Sequence, residues 1–223
     1  MEKTYLVIPA FNEENRLPEV VKNIKKYFPL ERVVVVDDGS KKQIALYLPK
    51  DVYVARHPVN LGKGMALRTG CELAIKLGAK KIILMDADGQ HDPKEIPVFI
   101  NELNQHYEMV FGARKLDKEM PYWRMMGNEF LNKATATLFG LNLHDVWCGY
   151  RAFDTKIYPR IVWSSSDYSS DVEMVVNVGL NKIKHKEHYV GTIYHDKKST
   201  TGTTLHDGLK LLLELLAWRV SKK

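Results

Sequence analysis

Short apolar runs punctuate the first half of the chain: Tyr5-Leu6-Val7-Ile8, Val33-Val34-Val35-Val36, Val52-Tyr53-Val54-Ala55, Ile82-Ile83-Leu84-Met85 and Met109-Val110-Phe111. Each is continuous rather than alternating, the pattern of a strand buried on both faces. The stretches between them, Leu17 to Tyr27, Lys63 to Leu77 and Pro93 to Asn104, carry apolar residues at helical spacing, as Met65, Leu67, Leu73 and Leu77 do. Alternating strand and helix predicts an α/β fold with a mainly parallel, doubly wound sheet. Three runs end in abrupt polar turns, Pro9 to Glu14, Asp37 to Ser40 and Asp86 to Pro93. All three are expected at the carboxyl edge of the sheet, where open α/β folds hold their ligands. After about Gly112 the rhythm turns to helices and short strands with no Gly/Ser/Pro linker and no internal repeat. The expectation is one domain, 1–223, with residues 1–112 as a ligand-binding half and 113–223 packed on it.

Composition narrows this little. A chain of 223 residues with 45% hydrophobic content can bury one sizeable core. Its 33 basic and 27 acidic residues leave a net charge of +6, which suits phosphate-bearing ligands, anionic lipid or nucleic acid alike. The basic residues are dispersed and form no recognised nucleic-acid module, so no nucleic-acid partner is expected. Cys71 and Cys148 lack both a disulfide framework and metal-ligand spacing, which points to two buried thiols in a reducing compartment. No export signal is legible at Met1 to Thr4. No apolar run reaches the roughly 18 residues of a membrane span. Leu209 to Val220 comes nearest and is broken by Lys210, Glu214 and Arg219. A cytoplasmic protein is expected, soluble or peripheral.

The candidate chemistry lies in the polar turns. Asp86 and Asp88 flank Ala87 directly after a strand. Two carboxylates this close are costly unless a cation neutralises them, and hard oxygen ligands suit Mg²⁺ or Mn²⁺ bridging a diphosphate. As an isolated triplet, Asp-x-Asp is more often a solvated turn or a cap. Its place after a buried strand, with Asp37-Asp38 ending another, favours the ligand-binding reading. Asp37-Asp38-Gly39-Ser40 reads either as a bland turn or as a nucleotide-recognising loop whose carboxylate accepts from a ribose hydroxyl or base N–H. Asn60-Leu61-Gly62-Lys63-Gly64 opens a helix and would hold phosphate or base against free backbone N–H groups. It lacks the spacing of a Walker P-loop.

Taken in order, Pro9-Ala10-Phe11-Asn12-Glu13-Glu14, Val35-Val36-Asp37-Asp38-Gly39-Ser40, Asn60-Leu61-Gly62-Lys63-Gly64, Asp86-Ala87-Asp88-Gly89-Gln90-His91-Asp92-Pro93, Gly112-Ala113-Arg114 and Cys148-Gly149-Tyr150-Arg151-Ala152-Phe153 resemble family 2 glycosyltransferases. The closest likeness is to the branch that holds dolichol-phosphate mannose synthase and dolichyl-phosphate glucose synthase. The resemblance implies a GT-A-type Rossmann-like fold and nucleoside contacts from Pro9, Glu13 and Asp37, and Asn12, Asp38, Gly39, Lys63 and Ala87 are expected to line the donor site with them. It implies that Asp86 and Asp88 organise diphosphate and metal with Gln90 completing the shell, and that Arg114 and Arg124 meet an acceptor phosphate. The implied donor is GDP-mannose or UDP-glucose, and the implied acceptor is polyprenyl phosphate. Two departures stand out. Lys41 to Lys50 is short for the usual helix, and His195-Asp196-Lys197-Lys198-Ser199 replaces an expected Arg before Ser-Lys.

A lipid phosphate is ionised at neutral pH and attacks an anomeric carbon without a strong base. The burden falls on charge growing on the leaving diphosphate, which Asp88 through a metal, with nearby cations, would stabilise. Single displacement inverts configuration. Asp171, in Tyr168-Ser169-Ser170-Asp171-Val172-Glu173, resembles the base that relatives acting on hydroxyl acceptors use, and equally suits a helix cap. At Leu205 to Val220, apolar residues at helical spacing with Trp218, Arg219, Lys222 and Lys223 predict a helix that docks on the core or lies on a membrane surface. Tyr122 to Leu141, with Trp123, Met125, Met126, Phe130, Leu131, Leu138 and Phe139, is a second candidate for receiving a lipid tail. Transfer to a saccharide hydroxyl is the alternative and shares every donor-side feature, whereas a sugar-phosphate nucleotidyltransferase fits less well, because it would open on a Gly-rich loop after the first strand.

Overall fold

The computed structural model describes residues 3–114, 122–191, 193 and 205–221, without the side chains of 122–126 and 205–209. The strands are β1 (Thr4–Ala10), β2 (Val33–Asp37), β3 (Tyr53–Arg56), β4 (Lys81–Leu84), β5 (Met109–Arg114), β6 (Arg151–Asp154) and β7 (His185–Val190). The helices are α1 (Leu17–Ile24), α2 (Lys63–Lys76), α3 (Ile96–Asn104), α4 (Tyr122–Phe139), α5 (Tyr158–Ile161), α6 (Ser169–Leu180) and α7 (Leu205–Ser221). The five strands expected from apolar runs all form. The 41–50 stretch holds only a 3₁₀ turn at Ile44–Tyr47.

The seven strands form one sheet in the order β3-β2-β1-β4-β6-β5-β7. Only β6 runs antiparallel, between β4 and β5. Alternate residues of each strand point to opposite faces. Tyr5 and Val7 enter a core with α2, α4, α6 and α7, whereas Leu6 and Ile8 enter one with α1 and α3. All four are at most 5% exposed, so the continuous apolar run reflects a sheet covered on both sides.

This topology collects the polar turns. β1, β2, β3, β4, β5 and β7 share one direction, so Ala10, Asp37, Arg56, Leu84 and Arg114 end at one edge. β6 enters from that same edge: Arg151 pairs with Leu84 and with Phe111. Its reversal inserts Cys148, Gly149 and Tyr150 between the tips of β4 and β5.

Candidate active site

At the tips of β1 and β2 the loops are locked to each other. Asn12, at φ 57°, donates its N–H to Ser40 Oγ at 2.9 Å and accepts from Lys41 N–H at 3.0 Å. Pro9 pairs in register with Val36 and is buried within β1. Asp37, 1% exposed, accepts from Ser40 N–H at 2.9 Å, Ile44 N–H at 3.2 Å and the Arg56 guanidinium. Burial works to raise its pKa, and those donors overcome it, leaving Asp37 below the ordinary carboxylate value. Asp38 accepts from Leu61 N–H at 2.9 Å and Gly62 N–H at 2.8 Å, and bonds His57 Nδ1 at 2.7 Å. Gly39, at φ 73°, passes so close to Val59 that an added Cβ would sit 2.4 Å from its carbonyl carbon.

Asp38 is turned inward, clamping the Asn60-to-Gly62 loop, and Asp37 organises its own turn. Three N–H groups of the Asn60-to-Gly64 segment are engaged within the protein: Leu61 and Gly62 donate to Asp38, and Gly64 donates to Ser166 O at 2.7 Å.

Lys63 Nζ lies 2.8 Å from Asp86 Oδ1 and 3.0 Å from Asp171 Oδ2, beneath the Tyr168 ring. Burial would lower the ammonium's pKa, but the two carboxylates raise it far above the ordinary lysine value. Burial likewise pushes the Asp86 carboxyl up, and Lys63, His91 and Arg114 more than offset it, holding Asp86 down at about 2. Gly149 completes this corner: a Cβ there would lie 2.7 Å from Asp86 Oδ2 and 3.0 Å from Lys63 Nζ. Asp171 makes no side-chain capping bond at the start of α6. Asp167 takes Ser169 N–H at 2.9 Å, and Asp171 stands as the acidic residue of the helix's first turn. Its neighbour Glu173 binds the N–H and hydroxyl groups of Ser164 and Ser165.

Asp88 presents a different balance. One oxygen accepts Gln90 N–H at 2.9 Å, and no cationic side chain pairs with it among the described residues. Its charge reaches Glu13, whose carboxyl is pushed up by burial and by Asp88 and Glu14, against Arg16. Ala87 is buried, Gly89 takes φ 77°, and Gln90 enters through its backbone, its carbonyl accepting Ile193 N–H at 3.0 Å. His91 stacks on Tyr150, ring centroids 4.8 Å apart, and its Nδ1 accepts Asp86 N–H at 3.1 Å. That bond leaves the proton on Nε2, and burial keeps the ring below the usual histidine pKa.

Arg114 grips Asp145 with two side-chain donors, Nε at 2.7 Å and Nη2 at 3.1 Å, so its fork is already engaged within the protein. Arg151, fully buried, donates to the carbonyls of Cys148, Val146 and Asp171 and so ties the β6 entry to α6. Cys71 and Cys148 are buried free thiols, with burial pushing Cys148 up to about 12. The side chains of Trp123, Arg124, Met125 and Met126, and His195, Lys197 and Lys198, lie outside the described residues.

Residues 5–162 match the profile described as Glycosyl transferase family 2. The chain belongs to this family. An uncharacterised protein of Methanocaldococcus jannaschii is 35% identical over 98% of this chain and 93% of its own length. A UDP-N-acetylglucosamine–dolichyl-phosphate N-acetylglucosaminyltransferase of Methanococcus voltae is 31% identical over 98% of this chain and 96% of its own length. Among solved structures, glucosyl-3-phosphoglycerate synthase from Mycobacterium tuberculosis, in complex with Mn²⁺, UDP and phosphoglyceric acid, superposes with a TM-score of 0.73 at 17% identity. That match covers 98% of this chain and 78% of the other. It shows the shared GT-A fold.

As a family 2 glycosyltransferase, the protein gathers Glu13, Lys63, Asp86, Asp88, Gly149 and Asp171 at one sheet edge. His91, Tyr150, Gly149 and Asp145 had no assigned role in the sequence, although three of them stood in the motifs. What marks them is tertiary: a stacked ring, a missing Cβ and a fork partner 31 residues from Arg114.

Proposed function

We propose that the protein transfers a hexosyl group, with inversion, from a nucleoside-diphosphate sugar to a polyprenyl phosphate at the cytoplasmic face of a membrane. Asp88 carries the reading: a carboxylate at the tip of β4 with one backbone donor, whose charge is felt by Glu13, beside a pair, Lys63 and Asp86, that is already neutralised. Among the described residues the negative charge of Asp88 has no cationic side chain paired with it, which fits a divalent cation there. Among the described residues no three His, Cys, Asp or Glu side chains gather as a ready metal cage. That suits Mg²⁺ or Mn²⁺ held by one or two carboxylates, with substrate phosphate and water filling the other positions. Asp88, Asp86 and Gln90 are the residues that would hold it. When bound, such an ion neutralises charge on the departing diphosphate.

The acceptor assignment draws on the relatives named for dolichyl-phosphate and polyprenol-phosphate chemistry, including a polyprenol monophosphomannose synthase of Mycolicibacterium smegmatis, 28% identical over 74% of this chain. On this reading residues 1–112 hold the donor and 113–223 receive the acceptor. Arg114, with Arg124, would meet the lipid phosphate, Arg114 by sharing its fork with Asp145. Glucose, mannose and N-acetylglucosamine are the sugars to test.

Thermal shift with UDP or GDP, with and without Mn²⁺, tests the donor site. One diphosphate at about 100 times its Kd should stabilise by about 2.7 kcal/mol. For a chain of this size that raises Tm by roughly 5 to 10 °C. Asp88→Ala should abolish the metal-dependent part. Stabilisation by neither nucleotide would remove the donor-site reading. Product assays with polyprenyl phosphate against free sugars then separate a lipid-phosphate acceptor from a hydroxyl one.

A further inference from the structure

Asp171 is 3% exposed, and its two oxygens are unequally served. Oδ2 accepts from Lys63 Nζ at 3.0 Å, whereas Oδ1 is buried with no hydrogen-bond partner among the described residues. Ser170 Oγ, in the same first turn of α6, is also buried and unpartnered. An unmatched carboxylate oxygen in the interior is costly to leave so, and it calls for a donor. Its surroundings say where that donor comes from. Lys63, 3.0 Å from Asp171 Oδ2, also lies 2.8 Å from Asp86 Oδ1, where a Cβ on Gly149 would crowd both Lys63 and Asp86, and the ring of the exposed Tyr168 stands 5.7 Å from the ammonium.

The next step rests on the proposed function. A phosphate headgroup presents acceptor oxygens and negative charge, so a carboxylate beside it repels rather than recruits. It also has no hydroxyl proton that a base must remove. The hexose of a nucleotide sugar presents hydroxyl donors, attached to the diphosphate that the Asp86 and Asp88 turn would hold. We propose that Asp171 Oδ1 accepts a hydrogen bond from a hydroxyl of the transferred sugar, with Lys63 fixing the carboxylate from its other side. Asp171 is then a residue that selects the donor sugar, not a base that activates the acceptor.

Calorimetric titration tests this directly. Wild type, Asp171→Asn and Asp171→Ala are titrated in Mn²⁺ with UDP and GDP, then with UDP-glucose, UDP-N-acetylglucosamine and GDP-mannose. The variants should bind the preferred sugar conjugate about 10- to 100-fold more weakly, a loss well beyond any they show for the bare diphosphate through the Lys63–Asp86 pair, with Tm reporting the fold. One deoxy analogue of that conjugate should lose as much affinity for wild type, and Asp171→Ala should add no further loss to it. Unimpaired conjugate binding with collapsed turnover would overturn the proposal. So would equal losses for diphosphate and conjugate, which mark a structural role. If wild type binds neither diphosphate, the donor site itself is wrong and the proposal goes with it.

Discussion

Replacing Lys63 by Met removes an ammonium from between two carboxylates while keeping much of the apolar stem. Asp86 and Asp171 are then left partly or wholly buried without their cation. Breaking such a pair costs about 3 to 5 kcal/mol, so Lys63→Met should lose roughly 3 kcal/mol in urea unfolding. The loss should depend on pH in a definite sense. Asp86 sits at about 2 in the folded chain, against about 3.9 unfolded. Its ionised form therefore stabilises the protein above about pH 4, and that contribution disappears as pH falls through about 2. The gap between wild-type and Lys63→Met urea midpoints should accordingly shrink between pH 6 and pH 2.5; a constant gap would mean that Lys63 does not serve Asp86. Gly149→Ala acts on the same corner by volume. Its Cβ would stand 2.7 Å from Asp86 Oδ2. Metal-dependent diphosphate affinity should fall about 10-fold, or 1.4 kcal/mol, with Tm nearly unchanged. The carboxylates of this edge were visible in the sequence, but their directions were not. A strand-end Asp accepts equally well from a ligand or from its own backbone, and Asp37 and Asp38 are occupied by the latter.

Elements show the same divide between pattern and context. β1, β2 and β4 were legible because both of their faces are covered, which demands unbroken apolar runs. β6 and β7 were not, for physical reasons. β6 is four residues long and opens on Arg151, tolerated in the interior because three carbonyls accept its donors. β7 pairs only with β5, so the polar side chains of His185, Lys186, Glu187 and His188 remain half-buried. The entry to α2 is held by a contact that no local pattern announces, the Asp38 clamp on Leu61 and Gly62. Asp38→Ala deletes acceptors for two backbone N–H groups and for His57, at about 1 kcal/mol each. Unfolding free energy should fall by roughly 2 to 3 kcal/mol, and the amide proton of Leu61 should exchange at least about 10-fold faster, while that of Gly62 keeps Asn60 Oδ1 as a second acceptor at 2.9 Å. Unchanged exchange would show that helix packing alone holds the loop.

At the scale of the whole molecule, α7 answers a question that helical periodicity leaves open. One face docks: Leu211 and Leu215 are buried in the core that includes α4 and α6, and Lys210 reaches Asp167 at 2.6 Å beside the start of α6. A second stripe does not. Leu213, Leu216 and Val220, at helical spacing, are 61%, 49% and 75% exposed. No helix of the described residues is long and apolar enough to cross a membrane, so any bilayer contact by this helix is interfacial. Sinking those three side chains would contribute about 4 kcal/mol, which alone gives only millimolar binding. Cations near an anionic surface add about 1 kcal/mol each and fade within a Debye length. With a net charge of +6, the protein should float with vesicles containing anionic lipid, but not with neutral ones, and should be released by high salt. Replacing Leu213 and Leu216 together by Gln should abolish flotation without lowering Tm, since neither is part of the docked face. Flotation unaffected by that double replacement would place the lipid contact elsewhere and leave the stripe as ordinary exposed surface.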